Sequence, residues 1–359
     1  MKVMVSIGTP NQVHFFKNII WKLEKDDHEA MTAVRDKEIA IKLLNTYKFK
    51  YSVVGKSYRN VIMKGYDLFK RDYKLLKIAK RFKPDVLIGH GAISAAHISR
   101  LIDKPSINHE DTEQSMEQIR LYKPFVSTII TPSCFGKDLG LKQIRYNGYK
   151  ELAYLHPNWF KPDPSVLDML GVSKDEKYVV LRFSAFSASH DIGIKGFSLD
   201  DKRKIVRKLK EYTKVFISSE TKLSNDLEKY AMKIPPHKMH DVLYYASLLI
   251  GDTGTMTTEA GILGTPVIIN HPKSLRMSNF VELEKKYGLI FNIQESETVT
   301  KKAVDLIQQP NLKQEWQKKR EKLLEDKIDV TAFMTWFIED YPESFQTMKE
   351  NPEYQEGFK

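Results

Sequence analysis

Leu248-Leu249-Ile250-Gly251-Asp252-Thr253-Gly254-Thr255-Met256-Thr257-Thr258-Glu259-Ala260 is the stretch on which the reading of this chain turns. Three apolar residues run into a glycine, and a threonine-rich segment follows. The pattern is that of a buried strand, a tight turn and the opening of a helix. Gly251 and Gly254 allow tight backbone turns and close approach of an anion. Thr253 and Thr255 can cap the helix or donate to phosphate oxygens, and Asp252 stands between strand and cap. Glu259 falls about one turn into the helix, where it can accept hydrogen bonds from ribose hydroxyls. An ordinary strand-to-helix turn, whose Thr and Gly only cap, would look the same. Spacing alone leaves both readings open.

Outward from this stretch the alternation repeats. Residues 178–183, 214–218 and 266–269 read as further strands, with a helix at 200–212. Past 269 the pattern is mostly helical, ending in a helix near 331–341 and a polar tail. Upstream, Gly148, Pro157, Pro162 and Pro164 interrupt the pattern and mark a linker. Before it, strands are expected at 3–7, 28–34, 51–54, 85–89, 106–107 and 128–130, with helices at 15–23, 39–44, 67–82 and 93–101 between them. Such alternation implies parallel sheets with helices on both faces. The expected domains are 1–150 and 165–330, both Rossmann-like, with a helix and polar tail over 331–359.

In open parallel sheets, ligands bind beyond the carboxyl ends of the strands. Four more strand ends therefore matter. Gly8-Thr9-Pro10-Asn11-Gln12-Val13-His14 lacks the G-x-G-x-x-G spacing of a dinucleotide site, and its His14 reads either as a base or as a packed histidine beside Phe15 and Phe16. Gly89-His90-Gly91 and Asn108-His109-Glu110-Asp111 put imidazoles and carboxylates at neighbouring strand ends, which suits acid–base chemistry. Glu110 and Asp111 would equally serve a helix dipole. In the segment from Arg182 to His190, Arg182 or the serines can reach a diphosphate, or the serines form a plain connection. His237 and His240 have i, i+3 spacing but no third ligand, and no Asp-x-Asp triplet exists to hold a metal-bound diphosphate.

Totals narrow the class. The 359 residues suit about two domains. At 42% hydrophobic they can form real cores. Lys plus Arg number 57 against 46 Asp plus Glu, a net +11 that favours anionic partners. The single cysteine, Cys134, excludes a disulfide framework and fits a reducing, cytoplasmic setting. The first ten residues do not form a signal peptide, and no apolar run approaches a membrane span. Residues 56–83 carry ten Lys or Arg. They read as a core helix with a solvated basic face, or as a patch for anionic lipid at the inner membrane face. No helix-turn-helix, zinc finger or stacking motif speaks for nucleic acid.

On Gly8–Lys17, Lys83–Gly91, Glu151-Leu152-Ala153-Tyr154-Leu155-His156-Pro157 and Gly251–Pro266, the chain resembles the largely archaeal family called domain of unknown function 354, of GT-B-like fold. More distantly it is similar to UDP-GlcNAc 2-epimerases and to GT-B glycosyltransferases that extend lipid-linked sugars. The resemblance implies an α/β fold of GT-B type: two Rossmann-like, doubly wound parallel-sheet domains facing a central cleft, with the terminal helix crossing back to the first. Where the epimerases bind nucleotide through Asp-Ser-Gly-Gly…Glu-Glu, this chain has Asp252-Thr253-Gly254-Thr255…Thr258-Glu259, which implies diphosphate contacts at Thr253–Thr255 and ribose contacts at Glu259. Glu110 matches an epimerase catalytic Glu, and His190 loosely matches a catalytic His. The epimerase Gly-Asp-Thr aspartate is replaced by Gly91-Ala92-Ile93.

The expected function is therefore metal-independent sugar transfer from a nucleotide-sugar, a UDP-sugar first, to an acceptor that includes lipid-linked candidates. Gly8, Thr9, Arg182, Asp252, Thr253, Gly254, Thr255 and Glu259 are expected at the donor, and His14, Glu110 and His90 at the chemistry. No cofactor is expected. The alternatives are an epimerase or hydrolase, and a non-catalytic binding protein.

Overall fold

The computed structural model describes the backbone of residues 1–55, 61–184 and 196–359, and the side chains of all of these except 61–64. It divides into two compact units, Met1–Trp159 with Lys327–Lys359, and Phe160–Asp326.

Among the described residues of the first unit, seven strands form one parallel sheet. They are β1 (Lys2–Ile7), β2 (Glu29–Arg35), β3 (Tyr51–Gly55), β4 (Val86–His90), β5 (Ser106–His109), β6 (Thr128–Pro132) and β7 (Gln143–Tyr146). Their order is β3-β2-β1-β4-β5-β6-β7. The central strands are covered on both faces, so their sequences run apolar instead of alternating, as Val-Leu-Ile does in β4. The helix Pro10–Lys25 starts on Pro10, whose fixed φ suits the first turn, and ends with Lys22 and Lys25 against the carbonyl pole. It buries Phe15, Phe16, Ile19, Ile20 and Leu23, each adding about 1.5–3 kcal/mol of apolar burial. On the other face, Leu75, Ala79 and Phe82 of the helix Val61–Phe82 join Met4, Leu87 and Ile98 in one core.

In the second unit, β8 (Tyr178–Phe183), β9 (Lys214–Ser219), β10 (Leu248–Gly251), β11 (Val267–Ile269) and β12 (Ile290–Asn292) form a parallel sheet in the order β12-β11-β10-β8-β9. The chain order reverses between β1 and β4 in the first sheet and between β8 and β10 in the second. These are the switch points where crevices open beyond the strand ends.

Three features differ from the sequence reading. The interrupted stretch after Tyr146 is not all linker: Leu152–Leu155 is a short helix with all four residues buried against the helices Pro10–Lys25 and Val330–Glu339. The first unit consequently runs to Trp159, past position 150. The returning segment starts at Lys327, four residues before 331. Asp329 anchors it, capping Ala332 N–H at 3.0 Å and accepting from Trp159 Nε1 at 2.8 Å and Asn158 Nδ2 at 2.9 Å. The edge strands β7 and β12 were not expected. They are four and three residues long and carry Gln143, Arg145 and Asn292 in place of an unbroken apolar run.

Candidate functional site

β4 and β5 are parallel and in register, pairing His90 with His109. Residues paired on neighbouring strands point to the same face of the sheet. The two imidazoles therefore stack, with centroids 5.0 Å apart, and their Nδ1 atoms lie 2.8 Å from each other. His109 Nε2 meets the Tyr146 hydroxyl at 2.8 Å, and His90 Nε2 lies 3.3 Å from Asp111 Oδ1. Lys150 Nζ closes the array 2.5 Å from Asp111 Oδ2.

One proton arrangement satisfies every contact. Tyr146 donates to His109 Nε2 and His109 Nδ1–H donates to His90 Nδ1, which leaves the His90 proton on Nε2, the nitrogen 3.3 Å from Asp111 Oδ1. Both imidazoles are then neutral. Burial requires the same: it pushes His90 down to about 4, with Asp111 opposing and Lys150 assisting, and it holds His109 well below the usual range. Burial works against the Asp111 charge too, but the Lys150 ammonium outweighs it and keeps the carboxylate ionised.

Glu110 behaves oppositely. It is 2% exposed, and burial followed by repulsion from Asp111 raises it to about 7. Thr112 N–H reaches its Oε1 at 3.1 Å and the Tyr122 hydroxyl its Oε2 at 3.0 Å. Adjacent carboxyl groups are thus driven apart, one fixed as an anion and one poised near neutrality, the usual mark of divided acid and base roles. His90 and Asp111 are the more accessible members, with 11% and 17% of their side chains exposed.

Backbone geometry aims these groups. Gly91 turns the chain after β4 with φ +54°, a left-handed conformation that favours glycine, and its carbonyl accepts from Gln118 Nε2 at 2.7 Å. Gln12 ties β1 to β4: its side chain accepts from Gly8 N–H at 2.6 Å and donates to the His90 carbonyl at 3.2 Å. Among the described residues, His90, Glu110 and Asp111 bring one ligand atom each within 4.8 Å of one another, a spacing open to a cation. The Lys150 ammonium already neutralises Asp111 there.

The second unit's switch point is built differently. Gly251 ends β10 against β8, and a Cβ on it would lie 3.2 Å from the Arg182 carbonyl and Arg182 Cβ. Asp252 is 1% exposed and accepts from Ser184 N–H at 2.7 Å. Burial raises it to about 6 despite that bond and the nearby Lys202 and Arg182. Thr253 is the N-cap of the helix Gly254–Ile262 in extended conformation, yet its side chain makes no cap bond. Among the described residues, its buried Oγ1 has no hydrogen-bond partner. A buried hydroxyl left this way costs about 1–3 kcal/mol unless something meets it.

The expected residues fall into three sets. Glu110 and His90 come together with His109 and Asp111 of the same strand-end segments, joined by Lys150, Tyr122 and Tyr146, for which the sequence gives no role. Asp252, Thr253, Gly254 and Thr255 form one turn as expected, with Gly254 and Thr255 inside the first helical turn. The rest have other partners. His14 Nδ1 lies 3.2 Å from the Tyr47 hydroxyl and the ring packs on Tyr47 and Tyr154, while the ring of Phe15, the next residue, is centred 4.6 Å from that of His109. Arg182 donates to Ser218 at 2.8 Å and pairs with Glu220. Glu259 is 5% exposed and pairs with His240 Nε2 at 3.0 Å, so a carboxylate engages His240. Gly8 gives its N–H to Gln12, and Thr9, the N-cap of the first helix, donates its hydroxyl to Asn11 Oδ1 and makes no side-chain cap bond. His190 lies outside the described residues.

Two parallel Rossmann-like sheets with polar strand ends define the GT-B type of fold, and comparison with solved structures agrees. The chain is similar to UDP-GlcNAc 2-epimerase from Neisseria meningitidis bound to UDP-GlcNAc, at 14% identity and TM-score 0.64 over 97% of this chain and 100% of that one. It is also similar to the SsfS6 glycosyltransferase of Streptomyces sp. SF2575, at 12% identity and TM-score 0.59 over 95% and 100%. Identities this low speak for fold alone. By sequence, residues 1–336 match the model of the family described as "Protein of unknown function (DUF354)", and the chain belongs to that family. An uncharacterized protein of Methanocaldococcus jannaschii is 25% identical over 288 residues, 77% of this chain and 83% of that protein.

Proposed function

We propose that this protein is a nucleotide-sugar-dependent glycosyltransferase that works without a metal ion. The observation that carries the proposal is the split carboxyl pair, a buried Glu110 raised to about 7 beside an Asp111 held ionised by Lys150. A base poised near neutrality is what activation of an acceptor hydroxyl requires. Glu110 takes the hydroxyl proton as the oxygen attacks the anomeric carbon. The bond from that carbon to the nucleotide diphosphate breaks, and its electron pair leaves on the diphosphate. The uncapped Thr253 hydroxyl and the N-terminus of the helix Gly254–Ile262 receive that charge in place of a cation. The nucleotide-sugars named for proteins of like fold support this substrate class.

A second reading has its own observation. The proton chain from Tyr146 through His109 and His90 to Asp111, next to Glu110, offers two proton-exchanging groups, which an epimerase needs. Absence of a carboxylate in Gly91-Ala92-Ile93 weighs against it.

Proton NMR of UDP-GlcNAc incubated with the protein in deuterated water separates the readings. The transferase reading expects an unchanged sugar C2–H without acceptor, and UDP release on adding an acceptor from a panel of polyprenyl-phosphate sugars and free saccharides. Solvent deuterium at C2 would move the assignment to epimerisation. No turnover of any UDP- or GDP-sugar under either condition would overturn both.

A further inference from the structure

The helix Val61–Phe82 carries chemistry that the sugar site does not use. Its inward face is fixed by Leu75, Ala79 and Phe82 in the core. On the opposite side, Tyr66, Phe69 and Tyr73 are 61%, 75% and 54% exposed. Lys70, Lys77 and Lys80 are exposed among them. At about 100° per residue, these six fall within a sector of roughly 100°. The helix's two acids are turned away from that sector. Asp67 is buried and paired with Arg71 at 2.9 Å, and Asp72 pairs with His97 at 2.8 Å. The Lys77 ammonium lies 4.5 Å from the Tyr73 ring centroid, so cation and ring occupy one surface.

We propose that this face docks on an anionic lipid bilayer, with the helix lying in the plane of the interface. Charge complementarity and shape select that occupant. The face is a convex helix surface with three rings standing clear of it. Phe69, the most exposed, has no polar atom to spend on water, and tyrosines sit well at the headgroup boundary. Lysines flanking the rings keep their ammonium groups among lipid phosphates while their stems lie along the apolar zone. A single-stranded nucleic acid would instead call for a basic groove to track its backbone. The arrangement concerns this helix alone and stands whether or not the sugar chemistry does.

Sedimentation with sucrose-loaded vesicles tests it on the full chain. Binding is expected to phosphatidylglycerol–phosphatidylcholine vesicles and not to phosphatidylcholine alone. Lys70→Glu with Lys77→Glu should weaken it roughly thirtyfold or more, from about 1 kcal/mol per lysine at an anionic surface. Phe69→Ala should weaken it several-fold with no change in net charge. The control is Lys318→Glu with Lys322→Glu, which removes the same charge from exposed positions on the helix Leu312–Asp326 and should leave binding largely intact. An equal loss in that control would reduce the effect to net charge and overturn the proposal. So would failure of the wild type to bind, or binding of a single-stranded RNA that depends on the same residues while vesicles are ignored.

Discussion

The two sheets share an architecture and differ in what they do with buried polar groups at their switch points. In the first unit, imidazoles, carboxylates, a lysine and tyrosines satisfy one another, and the result is a set of strongly displaced proton affinities. In the second, a glycine–threonine turn leaves a buried hydroxyl unmet among the described residues at a helix N-terminus. On the proposed function, the first arrangement moves protons and the second holds an anion, so that chemistry and binding fall to different side chains at the strand ends of the two sheets.

The sharpest way to break this contrast is to remove the cation inside the first cluster. Lys150→Met strands a buried Asp111 and should cost about 3–5 kcal/mol in urea unfolding at neutral pH. Adding Asp111→Asn should restore much of it; a single variant as stable as wild type would show that the pair does not organise the cluster. The next effect has the opposite sign. Folded Glu110 holds its proton up to about 7, against an ordinary value of 4.5. Between those values the unfolded chain binds fewer protons at this site, so its contribution to stability falls as pH rises through the window. Glu110→Gln mimics the protonated acid, accepting from Thr112 N–H and donating to Tyr122. It should match wild type near pH 5 and exceed it by up to about 3 kcal/mol near pH 8, while losing activity. His90 runs the other way: its contribution is present at neutral pH and lost as pH falls from 6.5 toward about 4. A Glu110→Gln stability difference independent of pH would refute the displaced carboxyl.

Much of the fold was legible because parallel strands covered on both faces print as apolar runs, as at Val86-Leu87-Ile88. The turn at Gly251–Thr255 was legible for the same reason, since glycine and threonine follow such a run. The proton chain was not. It depends on the register that pairs His90 with His109, and on Lys150, which lies in a stretch punctuated by Gly148 and Pro157 that reads as linker. Helical spacing gives Glu259 a position along the axis but does not reveal its partner His240. His14 illustrates the same limit: one step along a helix is about 100°, enough to give the imidazole-facing position to Phe15.

The most direct test of the account is calorimetric titration of UDP into the protein in EDTA. The account expects binding that does not require magnesium. It expects binding at least about tenfold weaker in Thr253→Ala, which loses a hydrogen bond to a charged group but no helix cap. In Glu110→Gln, binding should be unchanged, because proton chemistry lies in the other unit. UDP that fails to bind, binds only with magnesium, or binds equally to Thr253→Ala would contradict it.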